Sequence, residues 1–172
     1  MNQFILFFSK MRGMSRTPLK VTRRNVLIGF IGGFVAVGLL AILTEMGHGL
    51  WIMAPFGASC VLAFGVWDSP LSQPRNIIGG HLISTLTGLL VYHLVGGGFL
   101  SMAIGVGAAI SFMMLAKMTH PPAGADPLVV IMAGSSWSFL FTPVLIGAVV
   151  IVAAALIINN LDRTRNYPTF WW

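Results

Sequence analysis

Charged residues and cysteine are scarce in this chain. Of its 172 residues, 8% are Asp, Glu, Lys or Arg, and four are acidic. So little charge argues against a water-soluble domain, and the 56% of hydrophobic residues supports the same conclusion. The single cysteine, Cys60, excludes an intramolecular disulfide and a cysteine metal cluster. The composition that remains is typical of an all-α integral membrane protein.

Long apolar runs predict the membrane-spanning helices. Four of them approach the roughly 20 residues that cross about 30 Å of hydrocarbon. They occupy residues 26–43, 77–95, 99–116 and 139–158. Two shorter apolar segments, 51–67 and 121–134, contain proline and glycine near their starts and are harder to place. A membrane tolerates irregular backbone only where it lines a cavity or is buried in protein, so these two segments are candidate working sites.

Basic residues predict the orientation. If both short segments cross the membrane, Arg75, Lys117, the basic N-terminal residues and the pair Arg163 and Arg165 all fall on one side. The cytoplasmic excess of Lys and Arg then favours six crossings with both termini in the cytoplasm. Six of the ten basic residues lie in the first 24 positions, where they would contact anionic lipid. We therefore expect the lipid bilayer as a partner, and not nucleic acid.

Three regions follow from this topology. Residues 1–25 form a basic, amphipathic segment at the cytoplasmic surface. Residues 26–160 form the transmembrane region, and 161–172 form a short cytoplasmic tail.

A short internal repeat organises the transmembrane region. A shift of 67 positions aligns Pro-Phe-Gly-Ala-Ser at 55–59 with Pro-Ala-Gly-Ala-Asp at 122–126, and Gly80 with Gly147. Each half then contains a full helix, a broken segment and a full helix. Because three crossings reverse direction, the second half would be inverted relative to the first, as in many transporters. The alternative is chance, since Pro-Gly-Ala strings are common in membrane helices.

The two broken segments have similar local chemistry. Ser59 and Asp126 are aligned, and both residue types are good helix N-caps. The helices that they would start, 60–67 and 127–134, hold eight residues each, or roughly 12 Å. Their N-termini would thus lie near the midplane, where free N–H groups favour an anion. Pro55–Gly57 and Pro121–Gly124 would be unwound, and Gly57 and Gly124 would let the backbone approach a ligand.

Two separated motifs resemble a known family. His120-Pro121-Pro122-Ala123-Gly124-Ala125, together with the segment SPLSQPRNIIGGH at 69–81, is similar to the HPP family of small integral membrane proteins, which is named for its His-Pro-Pro signature. The likeness covers about residues 26–160. It implies a bacterial inner-membrane protein related to members described as nitrite transporters. Asp126-Pro127 departs from the expected pattern of a small or hydroxyl residue followed by alanine. An acid beside an anion path must be capped, paired or protonated.

Polar residues near the broken segments complete the candidate path. His81 begins a helical stripe with Thr85, Gly88 and Tyr92, which either exchanges protons or forms hydrogen bonds across a helix interface. His120 and Lys117 would draw anions to the inner mouth, and Arg75 is either an equivalent residue or a topology determinant. The predicted substrate path contains Pro55, Gly57, Ala58, Ser59, Arg75, Asn76, His81, Lys117, His120, Pro121, Pro122, Gly124 and Asp126.

These residues predict a transporter or channel for a small inorganic anion, with nitrite as the leading candidate, in a homodimer or other homo-oligomer. Two alternatives stay open: a membrane adaptor or sensor subunit, and an intramembrane hydrolase. For the hydrolase, Gly57-Ala58-Ser59-Cys60 resembles the nucleophile motif of rhomboid proteases without its final glycine, and His81 or His120 would be the base. No phosphate loop, metal spacing or cofactor fingerprint occurs, so neither an enzyme nor a cofactor or metal is expected.

Overall fold

The computed structural model of the chain describes residues 3–13, 15–47 and 51–172, and every regular element in those ranges is a helix. Part of the predicted N-terminal segment (1–2 and 14) and residues 48–50 lie outside the described residues. The α-helices, numbered in chain order, are α1 (Gln3–Ser9), α2 (Arg23–Glu45), α3 (Ala54–Cys60), α4 (Pro74–Val95), α5 (Phe99–Leu115), α6 (Asp126–Ala133) and α7 (Ile146–Leu161). The described residues also form short helical turns. The 3₁₀ turns are Pro70–Ser72, Pro121–Ala125 and Trp137–Leu140, and the π-helical turns are Val61–Gly65 and Phe141–Leu145.

Within the described residues, three helical stretches are long and apolar enough to cross a membrane: Arg23–Glu45, Pro74–Val95 and Trp137–Leu161. Ala54–Gly65 and Phe99–Leu115 are apolar but shorter. The all-α membrane class is thereby confirmed. The remaining predicted long span, 99–116, is α5, whose 17 residues measure about 25 Å, slightly less than the hydrocarbon thickness.

Helix α4 is the centre of the bundle. It packs against α5, α6, α7 and the Pro121–Ala125 turn. Its buried residues include Ser84, Thr85 and Thr87, so its inward surface is unusually polar for a membrane helix. On the other side of the bundle α2 packs against α7, and α3 packs against the Pro121–Ala125 turn. The two segments that interrupt the long helices therefore lie side by side.

Glycines allow two close approaches to these segments. A Cβ on Gly80 of α4 would lie 2.6 Å from the Cβ of His120, and one on Gly147 of α7 would lie 2.3 Å from the Phe56 ring. Such distances would be strongly repulsive. The aligned glycines Gly80 and Gly147 thus let each interrupted segment pack closely against a long helix from the other half of the sequence.

The first interrupted segment corrects one prediction. Residues 55–57 are helical, not unwound, because α3 begins at Ala54 and continues through Val61–Gly65. Proline fits the first turn of a helix, where its missing N–H costs no hydrogen bond, so Pro55 starts the helix early. Ser59 therefore lies inside α3, and the N-cap is Met53. The Ser59 hydroxyl therefore does not cap a helix, and it faces other helices.

The second interrupted segment also differs from the prediction. Residues 121–125 form a 3₁₀ turn, and Asp126 is the first residue of α6, whose N-cap Ala125 makes no side-chain hydrogen bond. The Asp126 carboxylate lies in the first turn, where the helix dipole favours negative charge. Because Asp126 does not cap α6, its carboxyl oxygens are available to α4.

The C-terminal tail is folded onto the bundle. Arg165 is 6% exposed and donates to the carbonyl of Phe64 at 3.0 Å and to Oδ1 of Asn159 at 2.7 Å. Asp162 forms an ion pair with Arg24, at the start of α2. Burial raises the pKa of the Asp162 carboxyl, but hydrogen bonds from Thr164 and the charge of Arg24 outweigh it and hold the pKa below its ordinary value. Asp162 therefore stays ionised at neutral pH and keeps the tail attached to α2.

Candidate functional site

Four buried polar side chains form one continuous hydrogen-bonded chain. Asp126 Oδ2 lies 2.8 Å from His81 Nδ1, and His81 Nε2 lies 2.8 Å from the hydroxyl of Ser59. The same hydroxyl lies 2.9 Å from His120 Nε2, and His120 Nδ1 lies 2.8 Å from the carbonyl of Leu71. All four side chains are 0% exposed. We call Asp126, His81, Ser59 and His120 the polar chain.

Each member of the polar chain comes from a different part of the fold. Ser59 projects from α3, His81 from α4 and Asp126 from the first turn of α6. His120 precedes the 3₁₀ turn and lies against Gly80. Thr85, one turn after His81 on α4, donates to Asp126 Oδ2 at 3.2 Å. The interrupted segments thus bring ionisable groups together inside the bundle, against the polar surface of α4.

The donor and acceptor inventory gives the polar chain a direction. A carbonyl can only accept, so His120 Nδ1 must carry a proton and donate to Leu71. In a neutral His120 ring, Nε2 then accepts a hydrogen bond from the Ser59 hydroxyl. The Ser59 oxygen in turn accepts from His81 Nε2. His81 Nδ1 and Asp126 Oδ2 then share one proton, as an ion pair or as two neutral groups.

The same geometry satisfies one additional proton. The Ser59 hydroxyl has another acceptor, the Pro55 carbonyl one turn earlier, at 3.0 Å. If His120 gains a proton at Nε2, the hydroxyl proton can turn to Pro55, and both histidines then donate to the Ser59 oxygen. All the nitrogens remain paired, and the polar chain carries a net positive charge.

Removing the shared proton is unfavourable. Asp126 would then be a carboxylate and His81 neutral, and the single Ser59 proton could satisfy only one of the two Nε2 atoms that face it. Asp126 Oδ1 is already buried without a hydrogen-bond partner. An unneutralised carboxylate in such a position is costly. The hydrogen bonds of the polar chain can therefore be completed in the neutral state and with one added proton, but not after the shared proton is removed.

Comparisons with known proteins identify the family. The model of the HPP transmembrane region matches residues 18–168. The chain belongs to the HPP family. It is 33% identical to a transmembrane protein of Dictyostelium discoideum over 98% of this chain and 58% of that protein. A second transmembrane protein of that organism is 39% identical over 70% of this chain and 45% of its own length. The chain therefore spans about half the length of these curated relatives. No solved structure matches it.

Several predicted site residues of this HPP protein support the polar chain. The signature histidine, His120, is its end member, and the buried Pro122 lies in the turn that follows. Asn76 donates to the carbonyl of Thr119 at 2.9 Å, and Arg75 donates to that of Ala116 at 3.2 Å. These two side chains hold the backbone that leads into the HPP motif.

Pro55 contributes its carbonyl as the second acceptor of the Ser59 hydroxyl, whereas Gly57, Ala58 and Lys117 lie away from the polar chain. Gly57 and Ala58 are exposed on the outer face of α3, and a Cβ on Gly57 or Gly124 would meet nothing within 4 Å. Pro55, Ala58, Pro121 and Pro122 line an open groove of about 460 Å³ between the two interrupted segments. Lys117 is exposed in a left-handed conformation with φ of 56°. Because α3 is helical, its glycine faces opposite to Ser59 and does not bring backbone toward the HPP site.

Sequence reasoning missed three groups that hold the polar chain of this HPP protein. Thr85 was part of the polar stripe of α4 but was not included in the path. Ser84 donates to the carbonyl of Ala123 at 2.6 Å and fixes the 3₁₀ turn. The Leu71 carbonyl leaves no signal in sequence, because every residue carries a carbonyl.

Proposed function

We propose that this protein transports a small monovalent anion together with a proton, and that nitrite is the leading substrate. The observation that carries the proposal is the Ser59 hydroxyl, which bridges two buried histidines while Asp126 pairs with one of them. Ionisable groups inside a membrane are expensive and commonly belong to ion pathways or proton relays. A polar chain that is satisfied when neutral and when positive can accept a proton as an anion arrives, so that the loaded site is neutral overall.

The architecture supports the same proposal. The arrangement of α2 against α7 and of α5 against α4, with the interrupted segments side by side, is compatible with two inverted three-segment repeats. In that arrangement six segments cross or enter the bilayer, and the sites of such transporters lie near the midplane. We further propose a homo-oligomer in a bacterial inner membrane with both termini in the cytoplasm.

One specific observation favours a second candidate function. Ser59, His81 and Asp126 have the spacing of a hydrolase triad, with hydrogen bonds of 2.8 Å on both sides of the histidine. Against it, the Ser59 oxygen also bonds His120 and is fully buried within α3. A fluorophosphonate probe tests this candidate, because covalent labelling that is lost in Ser59→Ala would make the protein a hydrolase. A sensor subunit without transport is the remaining alternative, and absent flux would favour it.

The decisive experiment is anion uptake into liposomes with an imposed pH gradient. Nitrite and formate form weak acids, whereas nitrate and chloride do not form neutral acids near neutral pH. We expect the purified protein to accelerate nitrite uptake when the proton gradient is directed inward, with little effect on nitrate or chloride. Protein-free liposomes measure passive permeation of the neutral acid. Equal uptake of all four anions without any effect of the pH gradient would contradict proton coupling.

Histidine variants connect the flux to the site. His81→Gln and His120→Gln should each reduce gradient-driven uptake at least tenfold, because glutamine forms hydrogen bonds but does not exchange protons near neutral pH. The control is His93→Gln, since His93 is exposed and stacks on Trp137 far along α4. Wild-type uptake in both polar-chain variants would place the pathway elsewhere.

Topology is tested by cysteine labelling. In a Cys60→Ala background, cysteine at Arg75 or Lys117, introduced singly, should react with an impermeant maleimide only from the cytoplasmic side, because the other basic residues still determine the orientation. Cysteine at Gly97, in the turn between α4 and α5, should react only from the opposite side. Labelling of position 75 or 117 from outside would overturn the six-crossing arrangement.

A further inference from the structure

The C-terminal tail makes a second, less obvious contact with the site. Tyr167 is 2% exposed, and its hydroxyl donates to the carbonyl of Ser72 at 2.8 Å. The side chain of Asn160 holds the Tyr167 backbone by accepting from its N–H and donating to its carbonyl. Tyr167 is therefore fixed to the end of α7 and reaches the loop that connects α3 with α4.

A further hydrogen bond joins the tail to that loop. The backbone N–H of Thr169 donates to Gln73 Oε1 at 2.8 Å. The amide nitrogen of Gln73 donates to the carbonyls of Trp67 and Ser69 at 3.0 and 2.9 Å. The tail thus determines the shape of the loop through a side chain that is itself 0% exposed.

The loop carries the acceptor that gives the polar chain its direction. The Leu71 carbonyl, which accepts from His120 Nδ1, belongs to the residue directly before Ser72. The Leu71 carbonyl and the Ser72 N–H belong to one planar peptide unit, and that N–H donates to the Ser69 carbonyl at 3.0 Å. The Tyr167 hydroxyl holds the other peptide group of Ser72, so that the two hydrogen bonds together fix Ser72 and keep the Leu71 carbonyl toward His120.

We propose that Tyr167 is a positioning residue of the polar chain, which selects the His120 tautomer protonated at Nδ1 by holding the loop at Leu71. Without the Tyr167 hydroxyl the Leu71 carbonyl can turn away, and His120 becomes free to carry its proton at Nε2. That tautomer would donate to Ser59 and reverse the direction of the hydrogen bonds. As a statement about coupling, this inference rests on the proposed proton-coupled transport.

The charged surroundings of His120 are compatible with this role. His81 on α4 faces it with ring centroids 5.2 Å apart, and Asp126 on α6 lies behind His81. Arg75, at the start of α4, directs its guanidinium to the Ala116 carbonyl and over the Trp172 ring. A change at Tyr167 therefore reaches His120 through the loop, while His81 and Asp126 keep their own hydrogen bond.

The first test reads the tautomer directly and does not depend on transport. In full-length protein with ¹⁵N-labelled histidine, we expect His120 to show a protonated Nδ1 and an unprotonated Nε2 at neutral pH. Tyr167→Phe should shift part of the signal to the Nε2 tautomer, by about fivefold in the ratio of the two, which corresponds to one lost hydrogen bond. The matched control is Tyr92→Phe, which removes a hydroxyl from the opposite end of α4. An unchanged tautomer ratio in Tyr167→Phe would overturn the proposal.

The second test separates this inference from the proposed function. Tyr167→Phe should retain nitrite uptake but lower the number of protons moved per anion, whereas Tyr92→Phe should match wild type. If Tyr167→Phe does not accumulate, Gln73→Met removes the other hydrogen bond to the tail and should have the same effect. A change in tautomer without nitrite flux in wild type would uphold the positioning role and reject the transport proposal. If Tyr167→Phe retains wild-type coupling while His120→Gln loses it, the result would uphold the transport proposal and reject the positioning role of Tyr167.

Discussion

Replacing Gly80 by alanine should reduce proton-coupled anion uptake by tenfold or more. The new Cβ would lie 2.6 Å from the Cβ of His120 and 3.1 Å from the carbonyl oxygen of Met118. Neither atom is the end of a flexible side chain, so α4 and the HPP motif must separate, and His120 moves away from Ser59. Overpacking of this kind typically destabilises a protein by about 1–3 kcal/mol. Uptake per amount of purified protein, measured with the thermal stability of the same preparation, checks the effect.

The neighbouring glycine provides a matched control. A Cβ on Gly79 would be 2.3 Å from the sulfur of Met118, an atom near the end of a long side chain that can turn aside. Gly79→Ala should consequently retain uptake within about twofold of wild type, and Gly57→Ala should be neutral because its Cβ meets nothing within 4 Å. Equal losses of uptake in Gly79→Ala and Gly80→Ala would show that the close contact between Gly80 and His120 has no special role.

Asp126→Asn should abolish gradient-driven accumulation while the protein still folds. The amide has nearly the same volume and can still accept from Thr85 and bond to His81, so packing is preserved. It cannot exchange a proton with His81 Nδ1, however, and the polar chain loses the group that supplies its shared proton. We expect anion accumulation with an inward proton gradient to fall to the level of protein-free liposomes. Ion-selective measurement of internal nitrite at fixed gradients checks this result.

Thr85→Val is the graded control for Asp126. It removes the 3.2 Å hydrogen bond to Asp126 Oδ2 without changing the volume of the side chain. The loss should be only severalfold, which is the usual size for one neutral hydrogen bond. Gradient-driven accumulation at the wild-type level in Asp126→Asn would exclude a proton-carrying role for the Asp126–His81 pair.

The sequence predicts the fold class and the members of the polar chain better than their arrangement. Membrane-spanning helices follow from hydropathy, and Ser59, His81, His120 and Asp126 stand out because polar residues are rare in such segments. Their pairing does not follow, since His81 and Asp126 are 45 residues apart and Ser59 and His120 are 61 apart. Only the packing of α3 and the Pro121–Ala125 turn against α4 decides which nitrogen faces which oxygen.

The errors have a common physical origin. Ser59 was predicted to cap a helix because Pro55 and Gly57 suggested unwound chain, whereas proline at the start of a helix is as favourable as proline in a loop. The sequence predicts only a short cytoplasmic tail at 161–172, and nothing local indicates that Asn160 would bind Tyr167. Ser59 bonds to the Pro55 carbonyl, and Asn160 bonds to the backbone of Tyr167. Both interactions involve backbone groups, which every residue carries and which leave no signal in the sequence.

The contact between Tyr167 and Ser72, 95 residues apart in sequence, also bears on how the protein is made. Chains emerge from the ribosome N-terminus first, at about 5–20 residues per second. The helices α1 to α7 therefore leave the ribosome before Tyr167 does. Until Tyr167 has emerged, the nascent chain holds the loop at Leu71 without the hydrogen bond from the Tyr167 hydroxyl to the Ser72 carbonyl.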